Sequence, residues 1–386
     1  MVRIDMNREE LQEYIVDLRR EFHMHPELSG QEEWTSARIC EELSAAGVPY
    51  EIYGHRNVIG RIENGEGRRI AFRADFDALP VEELVDVPWK SRNLECMHAC
   101  GHDAHTACLL GTARLLMENK DRWKGTVYLC FQHGEETGKG ADECVRYLKD
   151  HGGVDAVFAA HMLSILPSGM IVLQPGAVAT GGIIFRIEIE GTSGHGGRPD
   201  LAISAADIMC DIYQHLVSIP SNRHEAAKTC VISPCVLNSG SRFNVIPDSA
   251  VLEGTIRFLG EDDGEILMEK VRRTSEAIAS MHGGRAEVIY DEVSRYPVIN
   301  DADMSAVGRK AAERLGFSLF DTEPTSASDN FAEFLHEYPG YYCFVGSKSV
   351  REGTSGVHHA PDFDLDESVL HMVPELFFET TLSLMN

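Results

Sequence analysis

Between Met97 and His105 the chain reads Met-His-Ala-Cys-Gly-His-Asp-Ala-His, which gathers a thiol, three imidazoles and a carboxylate into one short segment. Thiolate and neutral imidazole are preferred ligands of zinc and other first-row transition metals, and the glycine between Cys100 and His102 lets the backbone turn so that both face one point. A second cluster, Gln132-His-Gly-Glu-Glu-Thr-Gly-Lys-Gly140, places Glu135 and Glu136 between glycines. In such a shaped loop neighbouring carboxylates can point different ways, one to a metal and one to a water. His161 ends an apolar run, and His358-His-Ala-Pro361 follows a glycine-rich stretch. Any one of these histidines alone reads as a packed or exposed side chain. Brought to one place, the set supplies the nitrogen, sulfur and oxygen ligands that two metal ions require.

The elements around these clusters decide whether they can meet. Apolar residues at helical spacing predict an opening helix over about 7–22, closed by Pro26, and a second over about 32–46. Strands are expected at 70–74, 126–131 and 156–160, with helices at 105–119 and 141–150 between them, and the run Tyr341–Val345 supplies a late strand. Near-continuous apolar strands alternating with helices indicate an α/β fold with a mainly parallel sheet flanked by helices, and sites beyond its strand ends. Asp75 and Asp77 sit just past the first strand, and the other clusters fall at corresponding places. From about Gly181 the pattern changes to strand, helix, strand, strand, helix, strand, the split βαβ order of a ferredoxin-like α+β domain. The sequence therefore divides into a metal-binding domain over 1–180 and 292–386 and an inserted smaller domain over 181–291.

Composition narrows the partners. Lys plus Arg number 35 against 61 Asp plus Glu, a formal charge of −26 that repels phosphate backbones and acidic membrane faces, so no nucleic acid and no membrane is expected. Ten cysteines scattered from Cys40 to Cys343 do not form the dense framework of a small secreted domain, and the first twenty residues carry charges of both signs without an apolar core. A cytoplasmic protein is the expectation.

The segments Arg73-Ala-Asp-Phe-Asp-Ala-Leu-Pro80, Met97 to His105 and Glu135-Glu136 resemble the signatures of the M20 metallopeptidase superfamily, and within it the amidohydrolase branch of hippurate, N-acyl amino acid and auxin-conjugate hydrolases. The similarity runs from His23-Met-His-Pro-Glu-Leu-Ser29 to His359-Ala-Pro-Asp-Phe363. The resemblance implies two divalent metal ions (zinc, manganese, cobalt or nickel) held by Cys100, His102, Glu136, His161 and His359, with Cys100 as the bridging ligand and the partition between the two metals open. It also implies Glu135 as general base and Asp77 as a carboxylate that orients a ligand. In the inserted domain His195, from Gly191-Thr-Ser-Gly-His-Gly-Gly-Arg-Pro199, matches the histidine that reaches the substrate carbonyl, often in the partner subunit of a homodimer, and Asn244 matches a substrate-holding position, with Arg257 a weaker candidate. His133-Gly134 before the glutamate pair and Thr137-Gly138-Lys139 after it depart from many relatives, which bears on the shape of the pocket.

The implied reaction is hydrolysis of the amide bond of an N-acyl amino acid or a similar small amide. A di- or tripeptidase or carboxypeptidase on the same site is the nearest alternative. A non-catalytic small-ligand binder and a thiol hydrolase using Cys100 are readings of other classes.

Overall fold

Burial of apolar strands beneath amphipathic helices organises the chain, which we describe from a computed structural model covering residues 8–222, 224–225 and 228–386. The first elements are α1 (Arg8–Met24), α2 (Glu33–Ala45), β1 (Tyr50–Tyr53), β2 (Asn57–Asn64), β3 (Arg69–Asp75), α3 (His102–Glu118), β4 (Gly125–Gln132), α4 (Ala141–Asp150), β5 (Ala156–Leu163) and β6 (Met170–Val172). There follow β7 (Gly181–Glu190), α5 (Ala205–Leu216), β8 (Cys230–Ser239), β9 (Ser249–Phe258), α6 (Asp263–Met281) and β10 (Arg285–Ser294). The chain closes with α7 (Ala302–Leu315), β11 (Ser318–Phe320), β12 (Gly340–Gly346) and α8 (Met372–Leu384).

One compact unit comprises residues 1–178, 299–323 and 333–386, and the other 179–298 with 324–332. In the first unit an eight-stranded sheet runs in the order β1-β2-β4-β3-β5-β12-β6-β11. Its centre is parallel, since β3 pairs in parallel with β4 and β5, and β5 with β12. The pairings β1 with β2, β2 with β4 and β6 with β12 are antiparallel, so the sheet is mixed. The central strands are buried on both faces, β3 and β12 almost without interruption, which is why their sequences are apolar throughout, whereas β1 lies exposed. Helix α3 packs against α1, α8 and β3, and its residues are buried nearly all the way round. That environment explains a sequence with little amphipathic contrast.

The second unit is an antiparallel sheet in the order β8-β9-β7-β10, with α5 and α6 packed against it. Taken in chain order as first to fourth, the strands lie 2-3-1-4, the split βαβ arrangement. Alternation of buried and half-exposed residues along β9 follows from one covered and one open face. Ile183, Phe185, Ile187 and Ile189 of β7 form the centre of this unit's own core with Ile208 and Ile212 of α5. The segment 324–332, which the sequence assigns to the larger domain, belongs to this unit.

Candidate metal centre

The site is built at the carboxyl ends of β3, β4 and β5 and the start of α3. Strand β3 ends on Asp75, and Asp77 follows two residues later, both with fully buried side chains. Cys100 and His102 flank Gly101, whose φ of 92° is the left-handed conformation the turn into α3 requires. His102 is the first residue of α3. After β4, Glu135 and Glu136 form a single tight turn between Gly134 and Gly138, both left-handed at φ 66° and 68°. His161 lies within β5, which extends to Leu163, so the strand continues past the point where the sequence expects it to end. His359 has a φ of 66°, the only positive value at a non-glycine position among the described residues. Such strain, of order 1–3 kcal/mol, persists only where the surroundings impose it. Here the His359 N–H donates to Ala99 O at 2.8 Å.

These segments bring the five ligand candidates together. Ligand atoms of Cys100, Glu136 and His359 lie within 4.8 Å of one another, and so do those of His102, Glu135 and Glu136. Cys100 Sγ is 3.5 Å from His161 Nε2. His359 Nε2 is 3.3 Å from Glu136 Oε1, and His102 Nε2 is 3.8 Å from the same oxygen. His102 Nε2 and Glu136 Oε1 are both buried and have no hydrogen-bond partner among the described residues. Two buried polar atoms of one cluster left unsatisfied cost several kcal/mol between them unless something binds both, and a cation does so. The residues therefore fit the metal ions that their types imply.

Around the ligands the neighbouring groups fix ring orientation and charge. His161 Nδ1 donates to Met162 O at 2.8 Å, which leaves the Nε2 lone pair facing Cys100. Burial, with His105 and His358 adding to it, holds the His161 imidazole well below its usual pKa and hence neutral. His102 Nδ1 lies 3.1 Å from both the carbonyl and a carboxylate oxygen of Asp77. The other Asp77 oxygen accepts from Ser29 Oγ at 2.6 Å and from the Glu136 N–H at 3.0 Å. One carboxylate thus aligns two ligand candidates. Burial opposes ionisation of Asp77, but His102, Ser29 and the Glu136 amide outweigh it and hold the carboxyl below its ordinary value. Burial and then Glu136 push the Cys100 thiol well above its usual pKa. A metal ligand and a nucleophile both require the thiolate, and a bound cation would supply the charge that draws the proton off.

Asp75 and His105 are not ligands in this arrangement. Asp75 accepts from Arg73 Nη1 and from His105 Nδ1, each at 2.6 Å, while His105 Nε2 accepts from the Met162 N–H at 2.8 Å. Both ring nitrogens of His105 are spent bracing β3 against β5, although the residue lies beside His102 and His161. Sequence reasoning gives Asp75 no clear purpose, and its purpose is this brace. His358 is also missed: its Nδ1 lies 3.7 Å from Cys100 Sγ. The adjacent histidine pair on the loop, both of whose rings come near Cys100, is the signal that could have drawn attention to it.

The remaining candidates stand in the second unit. Gly194–His195 pairs with Val245–Ile246, and the Gly196 N–H donates to Asn244 O at 2.9 Å, so His195 and Asn244 lie on neighbouring short segments, both exposed. His195 Nδ1 accepts from the Gly197 N–H at 3.0 Å, which places the ring proton on Nε2. Arg257 donates to Ser328 Oγ at 2.8 Å and has no ion pair among the described residues.

A sheet carrying a thiol, imidazoles and carboxylates at its strand ends, in groups whose ligand atoms lie within 4.8 Å of one another, defines a candidate metal centre. Residues 71–382 match the model of Peptidase family M20/M25/M40, and the chain belongs to that family. It is 35% identical to thermostable carboxypeptidase 2 of Saccharolobus solfataricus, over 94% of this chain and 93% of that relative. It is likewise 35% identical to N-acetylcysteine deacetylase of Bacillus subtilis, over 95% of each. The crystal structure of the Bacillus subtilis YXEP protein, described as a dinuclear metal binding peptidase of the M20 family, superposes with a TM-score of 0.83 at 31% identity, covering 98% of this chain and 99% of that one. The protein is thus an M20-type metallohydrolase acting on C–N bonds. Among the described residues no helix is long and apolar enough to cross a membrane.

Proposed function

We propose that this enzyme hydrolyses the amide bond of N-acyl amino acids or similarly small amides. The observation that carries this reading is the buried, unsatisfied pair His102 Nε2 and Glu136 Oε1, ringed by Cys100, His161 and His359. These five residues would hold two divalent ions of zinc, manganese, cobalt or nickel. When bound, such ions polarise the scissile carbonyl and bring the pKa of the attacking water toward neutrality. Glu135, in the same turn as Glu136 and buried, takes one proton from that water as its oxygen attacks the carbonyl carbon and passes it to the departing amine as the C–N bond breaks. Asp77 holds the His102 ring in place. His195, with its proton on Nε2, donates to the oxygen that gains charge, and Asn244 beside it holds the substrate.

A second reading, a carboxypeptidase or small-peptide hydrolase on the same site, is favoured by the carboxypeptidase relative and by Arg257, a cation that no acidic side chain engages among the described residues. Turnover assays in parallel on N-acetyl amino acids, N-benzoyl amino acids and dipeptides, each with added Mn²⁺, Zn²⁺ or Co²⁺, separate the two. The acyl substrates should turn over fastest. Faster cleavage of dipeptides would move the assignment to the second reading, and binding without hydrolysis of either would leave only a ligand-binding role. A cytoplasmic setting is supported by the ten cysteines, all of them thiols here.

A further inference from the structure

Next to the five ligand candidates stands a histidine whose place in the reaction is unassigned. His358 follows the exposed Val357 and precedes the strained His359, and ligand atoms of both histidines lie within 4.8 Å of the Cys100 sulfur. It packs against Phe363, with ring centroids 5.0 Å apart, and against His161 at 5.4 Å. One ring nitrogen, Nδ1, is 3.7 Å from Cys100 Sγ. The other, Nε2, accepts the Ser164 N–H at 3.3 Å.

That last contact decides what His358 can do. A backbone N–H can only donate, so Nε2 must offer its lone pair, and in the neutral ring the proton then resides on Nδ1. An Nδ1–H cannot ligate a metal, but it can donate to sulfur. The loop also cannot easily rearrange to free Nε2. A Cβ on Gly356 would lie 2.1 Å from Ser164 O, so the two segments are in direct backbone contact.

We infer that His358 is a positioning residue that donates an N–H···S hydrogen bond from Nδ1 to the Cys100 sulfur and, with the Ser164 amide behind it, aims that sulfur at the metal ions. The inference rests on the metal-site reading above. A sulfur shared between two cations has few remaining directions to donate in, and a fixed N–H on one lobe selects among them while drawing off part of the thiolate charge.

The test uses full-length protein loaded with Co²⁺, in which a coordinated thiolate gives a sulfur-to-metal charge-transfer absorption. His358→Leu removes the donor and keeps bulk. His358→Asn keeps an N–H near the Nδ1 position. Metal content, affinity in competition with a chelator and the position of the absorption are measured for each. The leucine variant should retain its full metal complement, bind about 10- to 100-fold more weakly and show a displaced absorption, whereas the asparagine variant should stay within a few-fold of the parent with the band unmoved. A leucine variant identical to the parent in affinity and spectrum would overturn the assignment. So would loss of a metal equivalent in both variants, which would make His358 a ligand. Absence of any thiolate absorption in the parent protein would instead sink the Cys100 reading beneath it, so the two failures are distinguishable.

Discussion

Some side chains of the site would touch the reacting atoms, and others only aim those that do. Glu135 belongs to the first kind. Glu135→Ala should lose about 10²- to 10⁴-fold in turnover while metal content, measured by elemental analysis, stays at the parent level. Full turnover in that variant would remove the base assignment. Asp77 belongs to the second kind, since it touches His102 and the Glu136 amide at once. Asp77→Ala should weaken metal binding by about 10- to 100-fold in chelator competition, with its effect on turnover at saturating metal smaller than that of Glu135→Ala. The candidate ligands were legible in the sequence as a group because thiol, imidazole and carboxylate stand in glycine-punctuated segments whose types and spacing have few other uses, and the structure brings their atoms near one another. The supporting residues were not. Asp75 has no evident purpose until its hydrogen bonds to Arg73 and His105 are seen, and the sequence gives no role to His358 because adjacency to His359 does not say what each imidazole touches.

At the scale of elements, the question is what keeps the Glu135–Glu136 turn in place. Asn57 of β2 clamps both ends of the loop, accepting from the His133 N–H at 3.1 Å and donating to Gly140 O at 3.2 Å. Glu32, at the N-terminal end of α2, accepts from the Gly134 N–H at 2.9 Å and has its other oxygen buried without a partner. Burial, with nearby Asp77 adding to it and backbone N–H groups partly offsetting it, raises the Glu32 carboxyl from 4.5 to about 7. An acid whose pKa is higher folded than unfolded is ionised first in the unfolded chain. Its contribution therefore makes stability fall as pH rises from about 4.5 to about 7 and leaves it level beyond. Glu32→Gln keeps an acceptor for Gly134 and abolishes this slope. In denaturant unfolding it should differ little from the parent at pH 5 and be more stable by up to about 3 kcal/mol at pH 8. Equal pH slopes for the two proteins would contradict the placement of Glu32. The sequence shows Glu32 only as one acid in the run Gln31-Glu32-Glu33 at a helix start, where a surface charge is the natural reading. The elements themselves were largely legible, α4 at 141–150 and the six elements of the second unit among them, because alternation and helical spacing are local signals. The antiparallel pairings of β1, β2 and β6 were not, since strand direction is set by partners far away in sequence.

At the scale of the whole molecule, the proposed chemistry needs residues from both units, and the resemblance suggests that His195 serves the partner subunit's site in a homodimer. At one edge of the second unit's sheet, strand β8 carries Val231, Val236 and Leu237 with exposed side chains. This edge escaped the sequence because an apolar strand reads as buried until its neighbours are counted. Mixed dimers of Glu135→Ala with His195→Ala, each inactive alone, should regain activity, since one of the two sites would combine an intact Glu135 with an intact His195. No recovery would confine His195 to its own subunit's site or remove it from the mechanism. Beneath all of this lies a single claim, that Cys100, His102, Glu136, His161 and His359 converge on metal ions. Anomalous diffraction from crystals of the protein grown with Mn²⁺ or Zn²⁺ tests it most directly. Two peaks per chain are expected, both within bonding distance of Cys100 Sγ and shared among the four other residues. Peaks elsewhere, or none near Cys100 under saturating metal, would contradict it.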